Sequence, residues 1–532
     1  MGATDTGWQL DKPELAVFVS GVASMGLEIL AGRMVAPQFG SSIYTWGSII
    51  GVFLAALSLG YWRGGKQAAE RATNSKLVVL LLATAAYVAL LIVGGDLMLR
   101  GTSGFPLPPR FASLPAIVLL FGPPTYLLGF ISPYAAELMP KDGTGEASGH
   151  VYAVGTIGSI VGAFGTTFLL IPTLSVDIIG LVFGLLLVGT SLVVLFPELP
   201  GRPTVGAVAV ALLLIGSIAV PSVGYSVTGE VVHETQTPYQ ELRVSDLGGT
   251  RTLYLDGQRH SAMDLDQPTR HVFEYTRYFH LPLLMTDGGS WDDTNESHAG
   301  SVDRVLFVGG GGFTGPRRFL AEYENVTVDV VEIDPEVIDV SREYFGVEDH
   351  PRLNVHNGDG RQFLRETNHT YDLVVMDAYK KDKVPFHLTT VEFMELARDR
   401  LDEDGILFAN VISAPSGSAS QFYRSEYRTM EEVFPQVYSF PTAGANVVQN
   451  IEVVATKDDE RLTREELLAR NDRRSIGIDL SSEIRTLDSD VATGDVPILR
   501  DDDAPVDALL EPMAGQQYVV TRATVNATGA AG

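Results

Sequence analysis

A chain of 532 residues is long enough for several domains, and its net charge of −27 sits beside a mean hydropathy of +0.15. It has no cysteine, which excludes disulfides, thiol nucleophiles and Cys-ligated zinc, and no basic stripe marks a nucleic-acid surface. The two extremes separate along the chain: the first 220 residues are mostly apolar, and the acidic residues crowd into the remainder. Lysine is scarce and most basic residues are arginine, a balance that suits a surface bathed by a salt-rich cytoplasm, where carboxylates hold water and ions.

Residues 1–13 are polar. Apolar stretches follow near 14–36, 45–62, 77–98, 112–136, 151–172, 177–197 and 204–221, most of them near the ~20 residues that a helix needs to cross a bilayer. These predict a helical domain over 1–222 with about seven transmembrane helices. Small residues at four-residue spacing, as in Gly158-Ser159-Ile160-Val161-Gly162, allow close helix contact. Pro123, Pro124 and Pro133 are expected to kink or break the fourth span. Glu28 and Arg33 lie in or at the end of the first, where charge is costly and often functional. Arg63, Lys66, Arg71 and Lys76 mark the loop between spans two and three as cytoplasmic. Counted from there, seven spans put the C-terminal part outside. Nucleoside chemistry belongs in the cytoplasm, and it outweighs the loop count.

From about residue 225 the pattern becomes that of a soluble α/β domain. Residues 228–256 alternate apolar and polar, with turns at Thr237-Pro238 and Gly248-Gly249, so 223–285 reads as a small antiparallel β subdomain. A polar acidic loop spans 286–302. A Rossmann-like, doubly wound domain is expected over 303–457, with strands at 305–308, 328–331, 352–356, 372–376 and 405–411 separated by helices. Residues 458–532 read as an acidic C-terminal extension with a helix near 463–471.

The chemistry concentrates at strand ends. Val305–Val308 runs into Gly309, Gly310, Gly311 and Gly312, a turn that lets backbone N–H groups approach a ligand. Glu332 ends the next strand, where a ribose hydroxyl pair would be held. Asp359, within Gly358-Asp359-Gly360-Arg361, could accept from the exocyclic amine of a base. Asp377 directly follows Tyr371–Met376, a position suited to a general base. Each alone is explained by capping or turn formation; four at successive strand ends point to a nucleoside site. Thr389 or Thr390 fits a helix N-cap, and His387 is a further candidate for substrate contact. No metal site is expected.

Residues 225–455 resemble the spermidine synthases, the polyamine aminopropyltransferases. The similar pieces are Pro238-Tyr239-Gln240, Leu253-Tyr254-Leu255-Asp256-Gly257, the glycine turn, Val331-Glu332-Ile333-Asp334-Pro335, Gly358-Asp359-Gly360-Arg361 and Tyr371-Asp372 through Asp377. Phe39-Gly40-Ser41-Ser42, Gly155-Thr156-Ile157-Gly158-Ser159, Pro385–Thr390 and Asp502–Val506 resemble segments of membrane-fused transporter–spermidine synthases; with the acidic composition, this suggests a halophilic archaeon.

The resemblance implies transfer of an aminopropyl group from decarboxylated S-adenosylmethionine to a small amine. Asp377 would be the base. Gln240, Gly309, Gly310, Gly311, Glu332, Asp359 and Gly360 would bind the donor, and Tyr239 and Asp382 the amine. It also implies a multi-pass protein of the cell membrane, a catalytic domain facing the cytoplasm, contact with the lipid bilayer and possible homo-oligomers.

Three positions depart from the family pattern. Gly312 stands where an Asp that binds the donor's amino group is usual. Tyr275-Thr276-Arg277 replaces Tyr-His-Glu. Lys380 replaces a second Asp, for which Asp382 is the candidate substitute. A methyltransferase using S-adenosylmethionine on the same scaffold, or a transporter or sensor gated by a bound nucleoside without catalysis, fits the same features.

Overall fold

The computed structural model describes residues 11–39, 42–102, 105, 107–139, 144–197, 201–219, 229–286, 302–474, 476–514 and 516–523. The expected acidic loop, apart from its first and last residues, Gly40-Ser41 and the 222/223 boundary lie outside them. The chain forms two units, Met1–Ser226 and Val227–Gly532.

The first unit holds α1 (Lys12–Phe39), α2 (Ile43–Arg71), α3 (Asn74–Thr102), α4 (Leu114–Leu138), α5 (Thr144–Gly165), α6 (Val176–Leu195) and α7 (Gly201–Ala219). Among the described residues seven helices are long and apolar enough to cross a membrane. Small residues set the packing. A Cβ on Gly158 or Gly162 of α5 would overlap the carbonyl oxygens of Phe18 or Val22 of α1, so these backbones touch directly.

The fourth span is not broken: α4 is one helix with Pro123, Pro124 and Pro133 inside it. Pro123 has no N–H for the carbonyl four residues back, Leu119. The Tyr87 hydroxyl of α3 donates to that oxygen instead, at 2.6 Å. Re-satisfied carbonyls let proline persist in an apolar helix.

In the second unit β1 (Glu230–Gln236), β2 (Glu241–Leu247), β3 (Thr250–Leu255) and β4 (Gln258–Asp264) form an antiparallel meander. The larger sheet holds β5 (Arg304–Val308), β6 (Thr327–Glu332), β7 (Leu353–Asn357), β8 (Tyr371–Met376), β9 (Leu401–Ser413), β10 (Gln436–Pro441) and β11 (Gln449–Thr456). Its order is β10-β11-β9-β8-β5-β6-β7. Strands β5 to β9 are parallel; β10 and β11 are antiparallel and were not foreseen from the sequence. The winding reverses between β5 and β8, and the C-terminal edge there is where such sheets bind ligands.

Residues 458–532 are more than an acidic extension. Leu467, Ile476, Leu480, Ile484 and Leu487 are buried on one face of the sheet, and Leu499, Val506, Leu509, Leu510 and Met513 on the other. Acidic surface had masked these apolar positions, which are spaced too irregularly to declare one periodic element.

Candidate active site

A cavity of about 250 Å³ opens at the switch point. Its floor is the glycine turn. Gly309 has φ +99°, and a Cβ there would overlap the Asp377 carbonyl oxygen. The close approach is stitched by Asp377 N–H donating to Val308 O at 2.8 Å and Gly309 N–H to Val331 O at 2.9 Å. Glycine at this position lets the ends of β5 and β8 meet.

Gln240, Gly309, Gly311, Glu332, Asp359, Gly360, Tyr239 and Asp377 all line the cavity. Gly310 does not; its N–H donates to Glu332 Oε2 at 2.8 Å, while Asp334 N–H donates to Oε1 at 2.9 Å. Burial pushes the Glu332 carboxyl up, and these two donors oppose it. Asp334 caps the following helix and accepts from Gln240 Nε2 at 3.1 Å and Thr237 Oγ1 at 2.7 Å, tying the 237–240 loop to the glycine turn. Asp359 caps helix Gly360–Glu366 through Gln362 N–H at 2.9 Å, and its other oxygen lies 2.8 Å from His387 Nε2. Burial would raise Asp359, but the backbone donor and His387 outweigh it and hold the carboxyl low. His387 thus lines the site as the partner of Asp359, and Thr390 is the N-cap of helix Val391–Asp399.

Asp382 is not among the lining residues; Lys380 and Lys383 are. Lys380 N–H donates to Lys383 O, closing a tight turn with Lys381 and Asp382 at its tip. Lys380 Nζ reaches Asp256 Oδ2 at 2.8 Å.

Asp377 has a distinctive setting. Burial drives its carboxyl up, the Asn410 amide opposes this, Glu332 adds to it, and the result is about 7. Asn410 Nδ2 donates to Asp377 Oδ1 at 2.8 Å, Asn450 Nδ2 to Asn410 Oδ1 at 2.8 Å, and the Tyr518 hydroxyl to Asn450 Oδ1 at 2.8 Å. Tyr275, His260 and Ser261 complete this side. The Tyr275 hydroxyl donates to His260 O at 2.8 Å. Burial and the Lys380 ammonium push His260 down to about 3, so it is neutral at pH 7. A buried carboxylate with one oriented donor and a pKa near neutrality can take a proton from a bound nucleophile.

Asn410, Asn450, Tyr518, His260 and Ser261 escaped sequence reasoning, and Tyr275 was read only as the first residue of the altered Tyr-His-Glu motif. Only Asn410 carried a signal, as a polar residue in the apolar run Ile406–Val411 at a strand end.

The Spermine/spermidine synthase domain matches residues 280–458. A polyamine aminopropyltransferase of Vibrio vulnificus is 28% identical over 218 residues, 40% of this chain and 67% of that protein. Polyamine aminopropyltransferase 1 of Streptomyces coelicolor is 26% identical over 451 residues, 78% of each chain. The chain carries a spermidine synthase domain over residues 280–458. It is therefore a transferase of the aminopropyl-transferring kind. Among solved structures, a probable spermidine synthase of Corynebacterium glutamicum is similar at 22% identity and TM-score 0.39, covering 46% of this chain and 88% of that one.

The departures from the family pattern acquire positions. At Gly312 a Cβ would sit 2.8 Å from Ser261 Cβ and 3.2 Å from Phe345 Cδ1, and Gly312 N–H donates to Ser261 Oγ at 2.9 Å. Ser261, from the meander, fills the space that a side chain at 312 would need. Thr276 and Arg277 do not line the cavity: Thr276 bonds His271, and Arg277 pairs with Glu483 of the C-terminal segment.

Proposed function

We propose that this protein transfers an aminopropyl group from decarboxylated S-adenosylmethionine to an amine, with Asp377 as general base, from a membrane-anchored chain whose second unit faces the cytoplasm. The donor supplies a propyl carbon activated by a sulfonium. An amine nitrogen bonds to that carbon, the C–S bond breaks with its electron pair going to sulfur, and the amine's proton passes to Asp377. Alkylamines have pKa values of roughly 10 and arrive protonated, so a carboxylate at the nucleophile's position both binds the ammonium and receives the proton. Glu332 and Asp359 fit a nucleoside as fixed acceptors at strand ends beside a glycine turn, with Gln240 of the 237–240 loop lining the same cavity. Holding donor and amine in line provides the remainder of the rate.

The observation that carries the reading is Asp377, facing the cavity with a pKa near 7 and one oxygen oriented by Asn410. The test is calorimetry with S-adenosylmethionine and its decarboxylated form, followed by mass spectrometry of products from an amine panel. Tighter binding of the decarboxylated donor is expected, with Asp377→Asn binding it normally and losing turnover by 100-fold or more. Preference for the carboxylated donor would overturn the assignment, as would full activity of Asp377→Asn.

A further inference from the structure

We infer that the acceptor is a monoamine carrying an anionic group in place of the second ammonium of a diamine; this rests on the aminopropyl-transfer reading above. Three carboxylates line the cavity: Glu332, Asp359 and Asp377. Glu332 accepts two backbone N–H groups beside the glycine turn, and Asp359 is engaged by Gln362 N–H and His387. Asp377 alone faces the nucleophile, and it is used by the nitrogen that reacts.

A diamine brings a second ammonium, and burying a cation without a carboxylate partner is unfavourable. Among the described residues no further acid lines the cavity. Glu426 is buried behind Tyr379, whose hydroxyl donates to it at 2.9 Å, and Glu452 is buried in β11. Asp256 is held by Lys380 and by Glu241 N–H.

Cations occupy the acceptor side instead. Lys380 and Lys383 follow Asp377 in the loop after β8, and Arg259, the second residue of β4, lines the cavity next to His260 in sequence. The Lys380 ammonium is close enough to His260 to depress its protonation. Lys380 is already paired with Asp256, so a chain with an amine at one end and a carboxylate at the other would place the amine at Asp377 and the anion toward Arg259 and Lys383. The bond changes are those given above; the anionic end takes no part in them.

The test uses the full chain in detergent with decarboxylated S-adenosylmethionine and an equimolar mixture of putrescine and 4-aminobutanoate, an isostere in which a carboxylate replaces one aminomethyl end. Products are quantified by mass spectrometry. At least tenfold more aminopropylated 4-aminobutanoate is expected. Lys383→Glu at an exposed position, and Lys380→Ala, which releases the Asp256 carboxylate, should each move the ratio tenfold or more toward putrescine with donor affinity unchanged. Preferred turnover of putrescine, or a ratio that neither variant moves, would overturn the inference. Donor binding with no turnover of either amine also overturns it and leaves the donor reading standing; absence of donor binding overturns both.

Discussion

Replacing Asn410 by Leu tests whether Asp377 is tuned or merely present. The two side chains are close in size, so the change removes the Nδ2 donor, 2.8 Å from Asp377 Oδ1, with little cavity. Asn410 is what opposes burial at Asp377. A hydrogen bond to a charged group contributes about 1.5–3 kcal/mol. At about 1.36 kcal/mol per pH unit, its loss should lift the carboxyl by about 1–2 units.

Asp377 must be ionised to receive a proton, so the activity of the parent protein should rise with pH through about 7. In Asn410→Leu that limb should move to about pH 8–9. The ionised fraction at pH 7 then falls roughly 5- to 50-fold, and most activity returns near pH 9.5. The assay is kcat/KM for the acceptor between pH 6 and 9.5 at saturating donor, with donor Kd by calorimetry as control. Loss of activity by the same factor at every pH, with the limb still near 7, would refute the reasoning and reduce Asn410 to a packing residue.

Tyr518→Phe removes the far end of the same hydrogen-bond chain. Acting through two amides, it should shift the limb in the same direction by less than half as much. Glu452 is fully buried in β11 with neither carboxyl oxygen bonded, and burial, with Asp377 adding to it, holds its pKa well above the usual range. A raised carboxyl contributes stability that is complete below the unfolded value near 4.3 and is lost as pH rises toward the folded value. Glu452→Met should therefore raise Tm, by the equivalent of about 1–3 kcal/mol, with a gain that grows from pH 5 to pH 8; a gain independent of pH would show that Glu452 is not neutral in the fold. Gly312→Asp, which restores the family's usual residue, should weaken donor binding because its Cβ meets Ser261 and Phe345; overpacking of this kind costs about 1–3 kcal/mol. Adding Ser261→Gly should recover affinity, and tighter binding by Gly312→Asp alone would contradict the contact.

The parts of the site that the sequence revealed are those whose position is a local property. A glycine turn after an apolar run, and acids after the next strands, lie at the sheet's edge wherever the strands sit, so Glu332, Asp359 and Asp377 could be read one element at a time. What pairing creates could not be read this way. Asn450 reaches Asn410 because β11 inserts antiparallel beside β9, opposing Ile412 with Asn450 and Asn410 with Glu452. Two strands were missed there, and the site partners they position were missed with them. Asp382 was misplaced for a related reason. Numerical proximity to the vacated Asp position suggested a substitute, but a tight turn aims residues 380 and 383 at the cavity and leaves 382 at its tip.

The C-terminal segment extends this point from strands to the whole site. Residues 518–523 touch two walls of the cavity at once. Val519 N–H donates to Val448 O at the entrance of β11, while Glu274 N–H donates to Thr521 O and Ala523 N–H to Val272 O, each at 2.9 Å. One side of this strap carries Asn450, and the other leads directly into Tyr275. Tyr518, on the strap itself, donates into the chain that ends at Asp377. Each amide in that chain gives its N–H toward Asp377 and its oxygen away from it, so the donors run one way, from the C-terminal strap to the Asp377 carboxyl. The strap therefore joins the two segments by backbone hydrogen bonds and supports, through Tyr518, the orientation of the Asp377 carboxyl. A segment that composition marks as an acidic extension is, by its hydrogen bonds, part of the active site's frame.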